Sequence, residues 1–172
     1  GYMLETMLGI SANSNKAPDY KGIEIKAGRT QSSNQTLFSK TPDWRRSRLK
    51  GSFDVLTNRG RYSAEKGRKQ LFHSIYAPRP NSYGMQLEVD FDKELLIQFC
   101  LEGNFREDDV LWELQTLKEA LRKKHHQTFW VKTQTRRYGR DEEFLYFEAN
   151  YTRGPNVDAF PLLLEAGDVF VD

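Results

Sequence analysis

Several protein classes are excluded by what this sequence lacks. It has one cysteine in 172 residues, Cys100. A single thiol rules out an internal disulfide and a cysteine-rich zinc site, and it fits a reducing, cytoplasmic compartment. No apolar run approaches the ~18 residues a membrane span needs. No signal peptide, internal repeat or low-complexity tail is visible. Mean hydropathy is −0.73 and 29% of residues are charged, so the surface is wet and no membrane partner is expected. A chain of this length is expected to fold as one domain, residues 1–172, with a sizeable core.

Charge is nearly balanced overall, at +2, but unevenly spread. Residues 40–79 hold 11 Lys/Arg against 3 acids, a local +8; the rest carries −6, with 15 basic residues against 21 acidic. A basic segment in an otherwise acidic protein is a candidate phosphate-binding surface. Within it, Pro42-Asp43-Trp44-Arg45-Arg46-Ser47-Arg48 sets a tryptophan among arginines, which suits either a nucleic-acid groove or a packed surface turn.

The stretch richest in chemistry is Pro18-Asp19-Tyr20-Lys21-Gly22-Ile23-Glu24-Ile25-Lys26. Asp19 follows a proline and precedes Gly22, so it belongs to a turn. Ile23 to Lys26 alternates apolar and polar, the period of a half-buried strand. Glu24 and Lys26 therefore share one face, while Ile23 and Ile25 point into a core. Two carboxylates and an ammonium gather at one strand end. Hard cations such as Mg²⁺ take oxygen ligands of this kind, and a neighbouring lysine can orient a water and offset phosphate charge.

Around this stretch the patterning predicts an α/β protein. Met3, Leu4, Met7 and Leu8 make a helical stripe over Tyr2–Ile10, with Glu5 on another side. Thr36–Ser39 and Leu71–Tyr76 read as strands. His73, in the second, could assist catalysis, but a lone histidine is more often structural. Gly84–Phe91 and Glu94–Leu101 form a hairpin with Cys100 buried in its second strand. Asp108–His126 reads as one long helix, with Val110, Leu111, Leu114, Leu117 and Leu121 as its stripe. Its acidic start and its Arg122-Lys123-Lys124 end match the helix macrodipole. Strands follow at Thr128–Thr135 and Glu143–Tyr151, then a helix at Val157–Ala166 with Pro161 in its first turn. Val169-Phe170-Val171 begins a strand that Asp172 cuts short, which implies that more sequence belongs after it.

The ordered set of Pro18-Asp19 and Glu24-Ile25-Lys26 resembles the active-site signature of the PD-(D/E)XK nucleases. Leu4-Glu5-Thr6-Met7-Leu8-Gly9-Ile10, Asn13-Ser14-Asn15, Trp112–Leu117, Glu142–Tyr146 and Ala166–Asp172 extend the likeness over nearly the whole chain. Together they resemble the MvaI/BcnI restriction endonucleases, close to the strand-nicking repair enzyme MutH. The resemblance implies a central mixed β-sheet flanked by helices and Mg²⁺-dependent hydrolysis of a phosphodiester in double-stranded DNA, with Mn²⁺ as a substitute ion. It implies a monomer. Asp19, Glu24 and Ile25 would be metal ligands, Lys26 would orient or activate the attacking water, and Glu5 would be a further acidic group near the metal. Arg29, Lys40, Arg45, Arg46, Arg48, Arg59 and Arg61 are the expected DNA contacts. Two alternatives stay open: a repair-type enzyme that nicks one strand, and an inactive nuclease-fold DNA-binding module.

Overall fold

Alternation after Gly22 does form a strand, and it runs three residues beyond the expected Lys26. The computed structural model describes residues 2–10, 18–30, 34–139 and 141–172. Asn13-Ser14-Asn15 and Arg140 lie outside the described residues. The elements are α1 (Tyr2–Met7), β1 (Glu24–Arg29), α2 (Ser52–Arg59), β2 (Arg61–Ser63), β3 (Arg68–Gln70), β4 (Met85–Asp90), β5 (Leu95–Glu102), β6 (Phe105–Glu113), α3 (Leu114–Lys124), β7 (Gln127–Tyr138), β8 (Asp141–Arg153) and α4 (Phe160–Ala166). None of the described helices is long and apolar enough to cross a membrane.

The chain divides into two compact units. The first, Gly1–Ser39 with Glu119–Val157, is built on a mixed sheet in the order β1-β7-β8. β1 pairs in parallel with β7, setting Glu24 opposite Thr128 and Lys26 opposite Trp130. β7 then turns back on β8 as a long antiparallel hairpin. A parallel partner cannot follow through a tight turn, so the chain between β1 and β7 has to be long.

The second unit, Lys40–Lys118 with Asp158–Asp172, holds the antiparallel sheet β4-β5-β6 and the small ribbon β2-β3. Met85, Leu87 and Leu96 are its most buried apolar side chains, each contributing about 1.5–3 kcal/mol by leaving water. All six residues from Leu95 to Cys100 are buried, so both faces of β5 are covered. α4 carries Pro161 in its first turn. Gly167 ends it in the left-handed region, φ 82°, where a side chain would be strained and would also meet Pro78.

Three expectations fail here, each for a physical reason. The first half of the expected helix 108–126 is β6, because a stripe over Val110, Leu111 and Leu114 also fits a strand that turns into a helix. Val110 and Trp112 alternate into the core, and only Leu114, Leu117 and Leu121 are helical. Thr36–Ser39 is not a strand; the Leu37 carbonyl accepts from a histidine side chain instead. Leu71–Tyr76 and Val169–Val171 reduce to one antiparallel bridge between Ile75 and Val171. A helix the sequence left unassigned, α2, follows Gly51.

The basic segment is largely a strap on β6. The amides of Asp43 and Leu49 donate to the carbonyls of Leu111 and Asp109, at 2.8 and 3.0 Å. Trp112 Nε1 donates to the Lys40 carbonyl at 3.0 Å. Asp109, fully buried, draws in two guanidinium groups: Arg59 Nε lies 2.7 Å from Oδ2, and Arg48 pairs with Oδ1. Arg59 also meets Glu102 and Glu107, at 2.9 and 2.6 Å. The Asp109 hydrogen bonds hold the Arg59 pKa above its ordinary value. Arg59→Ala should destabilise the protein by about 3 kcal/mol, since a buried carboxylate loses its main partner. A paired Arg59→Met, Asp109→Leu change should restore much of that loss; denaturant titration of both variants checks it.

Candidate active site

Asp19 reaches the strand through a two-residue turn. Tyr20 and Ile23 exchange backbone hydrogen bonds of 2.9 and 2.8 Å, and Lys21 and Gly22 between them both have positive φ, 49° and 84°. That is the type I′ geometry, which a glycine in second place favours. The turn folds Asp19 back beside β1, where its Oδ2 accepts the Ile25 amide at 3.0 Å. The six-residue spacing of Asp19 and Ile25 is thus set by one turn and one hydrogen bond.

Glu24 is the next element of the site, and it is only 1% exposed. A carboxylate so far from water needs charged partners. Lys26, two residues along the same strand face, supplies one at 2.9 Å to Oε1. Lys124, at the end of α3, supplies the other at 2.7 Å to Oε2, and its ammonium also stands 3.7 Å from Asp19 Oδ1. One cation therefore sits between the two carboxylates expected to bind metal.

Beside this pair opens a cleft of about 640 Å³ lined by Glu5, Ile25, Lys26, Arg29, Phe144 and Tyr146 among others. Glu5 and Lys26 face it together. No group of three or more His, Cys, Asp or Glu side chains among the described residues is close enough to share an ion. The donor set still fits a hard divalent ion: two carboxylates, the backbone carbonyl of Ile25, which is that residue's only oxygen, and a position already occupied by positive charge.

The expected DNA contacts separate into groups. Arg29 lines the cleft, pairs with Glu142 at 3.0 Å and lies 5.8 Å from the Phe144 ring centroid. Lys40 and Arg45 are exposed. Arg61 is exposed and lies over the Tyr83 ring. Arg46 and Arg48 are exposed but pair with Glu113 and Glu107, at 2.6 and 3.1 Å. Arg59 is buried in the carboxylate cluster described above and holds its own unit together. His73 stacks on Tyr83, in keeping with a structural residue.

Comparison with known proteins decides what this arrangement belongs to. The model of the MvaI/BcnI restriction endonuclease family matches residues 1–172. The chain is a member of the MvaI/BcnI restriction endonuclease family. Membership makes it a DNA endonuclease of restriction type, a hydrolase. Two of the solved structures it resembles are informative. One is the complex of restriction endonuclease MvaI with its cognate DNA substrate, with a TM-score of 0.88 and 23% identity, covering 100% of this chain and 71% of that one. The other is MvaI in the absence of DNA, with a TM-score of 0.61 and 23% identity, covering 91% and 65%. At this identity the likeness is one of fold, and it bears out the restriction-endonuclease-like α/β architecture expected from the sequence. No curated protein sequence matches this family member.

Lys124 was missed in the sequence because Arg122-Lys123-Lys124 has a sufficient explanation as the basic end of a helix. The available signal was its position three residues before the strand that lies beside β1. Its neighbour His125 is buried and braces the same corner. The Leu37 carbonyl, 2.7 Å away, can only accept, so Nε2 carries the proton and Nδ1 accepts from the Thr128 hydroxyl at 3.0 Å. Burial lowers the His125 pKa, and burial with nearby Arg61 lowers that of His73. Both take up a proton less readily in the fold than in the unfolded chain, where histidines protonate below about pH 6.5, so stability falls as pH drops through that range. His125→Gln should flatten this slope and cost about 1–3 kcal/mol at neutral pH; denaturant titrations at neutral and mildly acidic pH check both.

Proposed function

We propose that this protein hydrolyses a phosphodiester in double-stranded DNA with Mg²⁺, for which Mn²⁺ can substitute. Asp19, Glu24 and the Ile25 carbonyl are the ion's ligands in this reading. The observation that carries it is the single cationic position shared by Asp19 and Glu24, held by a turn on one side and by burial on the other. A divalent ion bound there would polarise a phosphate oxygen and lower the pKa of a water.

The chain's own groups have separate tasks. The I′ turn and the Ile25 amide fix the direction of the Asp19 carboxylate. Lys26 is a charged donor that faces the cleft while held by Glu24; it orients the attacking water and offsets the phosphate's negative charge. The water gives up a proton to solvent as its oxygen forms the new bond to phosphorus, the bond to the leaving ester oxygen breaks, and that oxygen takes up a proton from solvent. Glu5, which lines the same cleft as Lys26, is proposed as an acceptor for a water in that space. Arg29, Lys40, Arg45 and Arg61 are proposed as phosphate contacts, which position DNA without reading its sequence. A monomeric enzyme in the cytoplasm, where Cys100 stays reduced, completes the proposal.

Asp19→Ala and Lys26→Ala should each reduce cleavage of supercoiled plasmid by at least about 10²-fold. DNA binding, measured by gel shift with Ca²⁺, should survive in both. Cleavage by both variants at the parent's rate contradicts the assignment, as does parent activity that persists in EDTA.

A further inference from the structure

Lys124 has a placement that catalytic positioning alone does not explain. It reaches the site from the end of α3, 98 residues along the chain from Lys26. Its ammonium lies between Asp19 Oδ1 and Glu24 Oε2, at 3.7 and 2.7 Å. Lys26 already meets the other oxygen of Glu24. Lys26 and Lys124 together balance the two carboxylates, and Lys124 is the one that stands where they converge. The Lys124 side chain is itself mostly buried, 17% exposed, so water does little to screen the contact.

We infer that Lys124 is a resident counter-cation that competes with the divalent ion for Asp19 and Glu24 and must withdraw before the ion can bind. The inference rests on the proposed metal-binding role of those two carboxylates. Without any cation, a buried Glu24 beside Asp19 would be an uncompensated charge, and the site would open or take up a proton. With Lys124 in place the site is neutralised in the metal-free protein. The same contact opposes the ion, so Lys124 sets how much metal the enzyme needs.

This differs from a structural role in the sign of one effect. A lysine that merely shapes the site would, when removed, weaken metal binding. A competitor, when removed, leaves the carboxylates more available. Lys124→Met should bind Mn²⁺ about tenfold more tightly than the parent, a shift of the size expected when a close opposing charge is lost. It should also melt lower than the parent in EDTA and gain more melting temperature on Mn²⁺ addition. Lys124→Arg, which keeps the charge, should stay near the parent in affinity.

The experiment is Mn²⁺ titration by calorimetry and by electron paramagnetic resonance, without DNA, on the parent, Lys124→Met, Lys124→Arg and Asp19→Asn. Tighter binding in Lys124→Met, abolished in Asp19→Asn, supports the inference. Binding in the parent that depends on Asp19, with Lys124→Met unchanged or weaker, overturns this inference and leaves the proposed function standing. No Asp19-dependent binding in the parent overturns both. If Lys124→Met does not fold, acetylation of the parent read by mass spectrometry decides. Lys124 should react faster with Mn²⁺ present than in EDTA, and an unchanged or slower rate overturns the inference.

Discussion

A buried carboxylate organises the first unit. Glu24 is almost fully removed from water, and each of its oxygens is matched by an ammonium, Lys26 on its own strand and Lys124 on a helix end far along the chain. Leaving such a charge unpaired is costly, whereas pairing it is only near-neutral. The arrangement therefore does little for stability by itself but fixes which elements must meet. The end of α3 has to arrive beside β1, and the parallel β1–β7 pairing, with Glu24 opposite Thr128, is the register that brings it there. Thr128 in turn donates to His125, the residue after Lys124.

The second unit repeats the same physics for a different end. Asp109 is as deeply buried as Glu24, but its partners are guanidinium groups with several donors, and Arg59 links it to Glu102 and Glu107. That network ties α2 to β5 and β6. Planar, forked guanidinium suits a closed structural network, while a compact, mobile ammonium suits a position that is to be vacated. The two buried acids thus differ in the chemistry of their partners.

Much of the site was legible in the sequence because it is local. The turn before β1, the Glu-x-Lys face and the Asp19 position all follow from nine consecutive residues, where glycine placement and alternation speak directly. Lys124 was not legible, since its lysine already had a sufficient reason to end a helix and its partner lies about 100 residues away. β6 was read as helix because the same leucines and valines satisfy both periods until Glu113, and Asp109 looked like a helix-start charge when it is a buried partner of Arg59. Arg59 itself shows the limit of counting charge: the +8 of residues 40–79 includes a guanidinium that never faces solvent. Long-range ion pairs leave no periodicity to read.

Asp19, in the turn before β1, and Glu24, at its start, are proposed to form a metal site. Diffraction at the manganese absorption edge, from crystals grown with Mn²⁺, tests it most directly. The expected result is an anomalous peak about 2 Å from an oxygen of each carboxylate and from the Ile25 carbonyl, with the Lys124 ammonium moved away. An enzyme that cleaves DNA in Mn²⁺ yet shows its anomalous peak elsewhere would contradict the account.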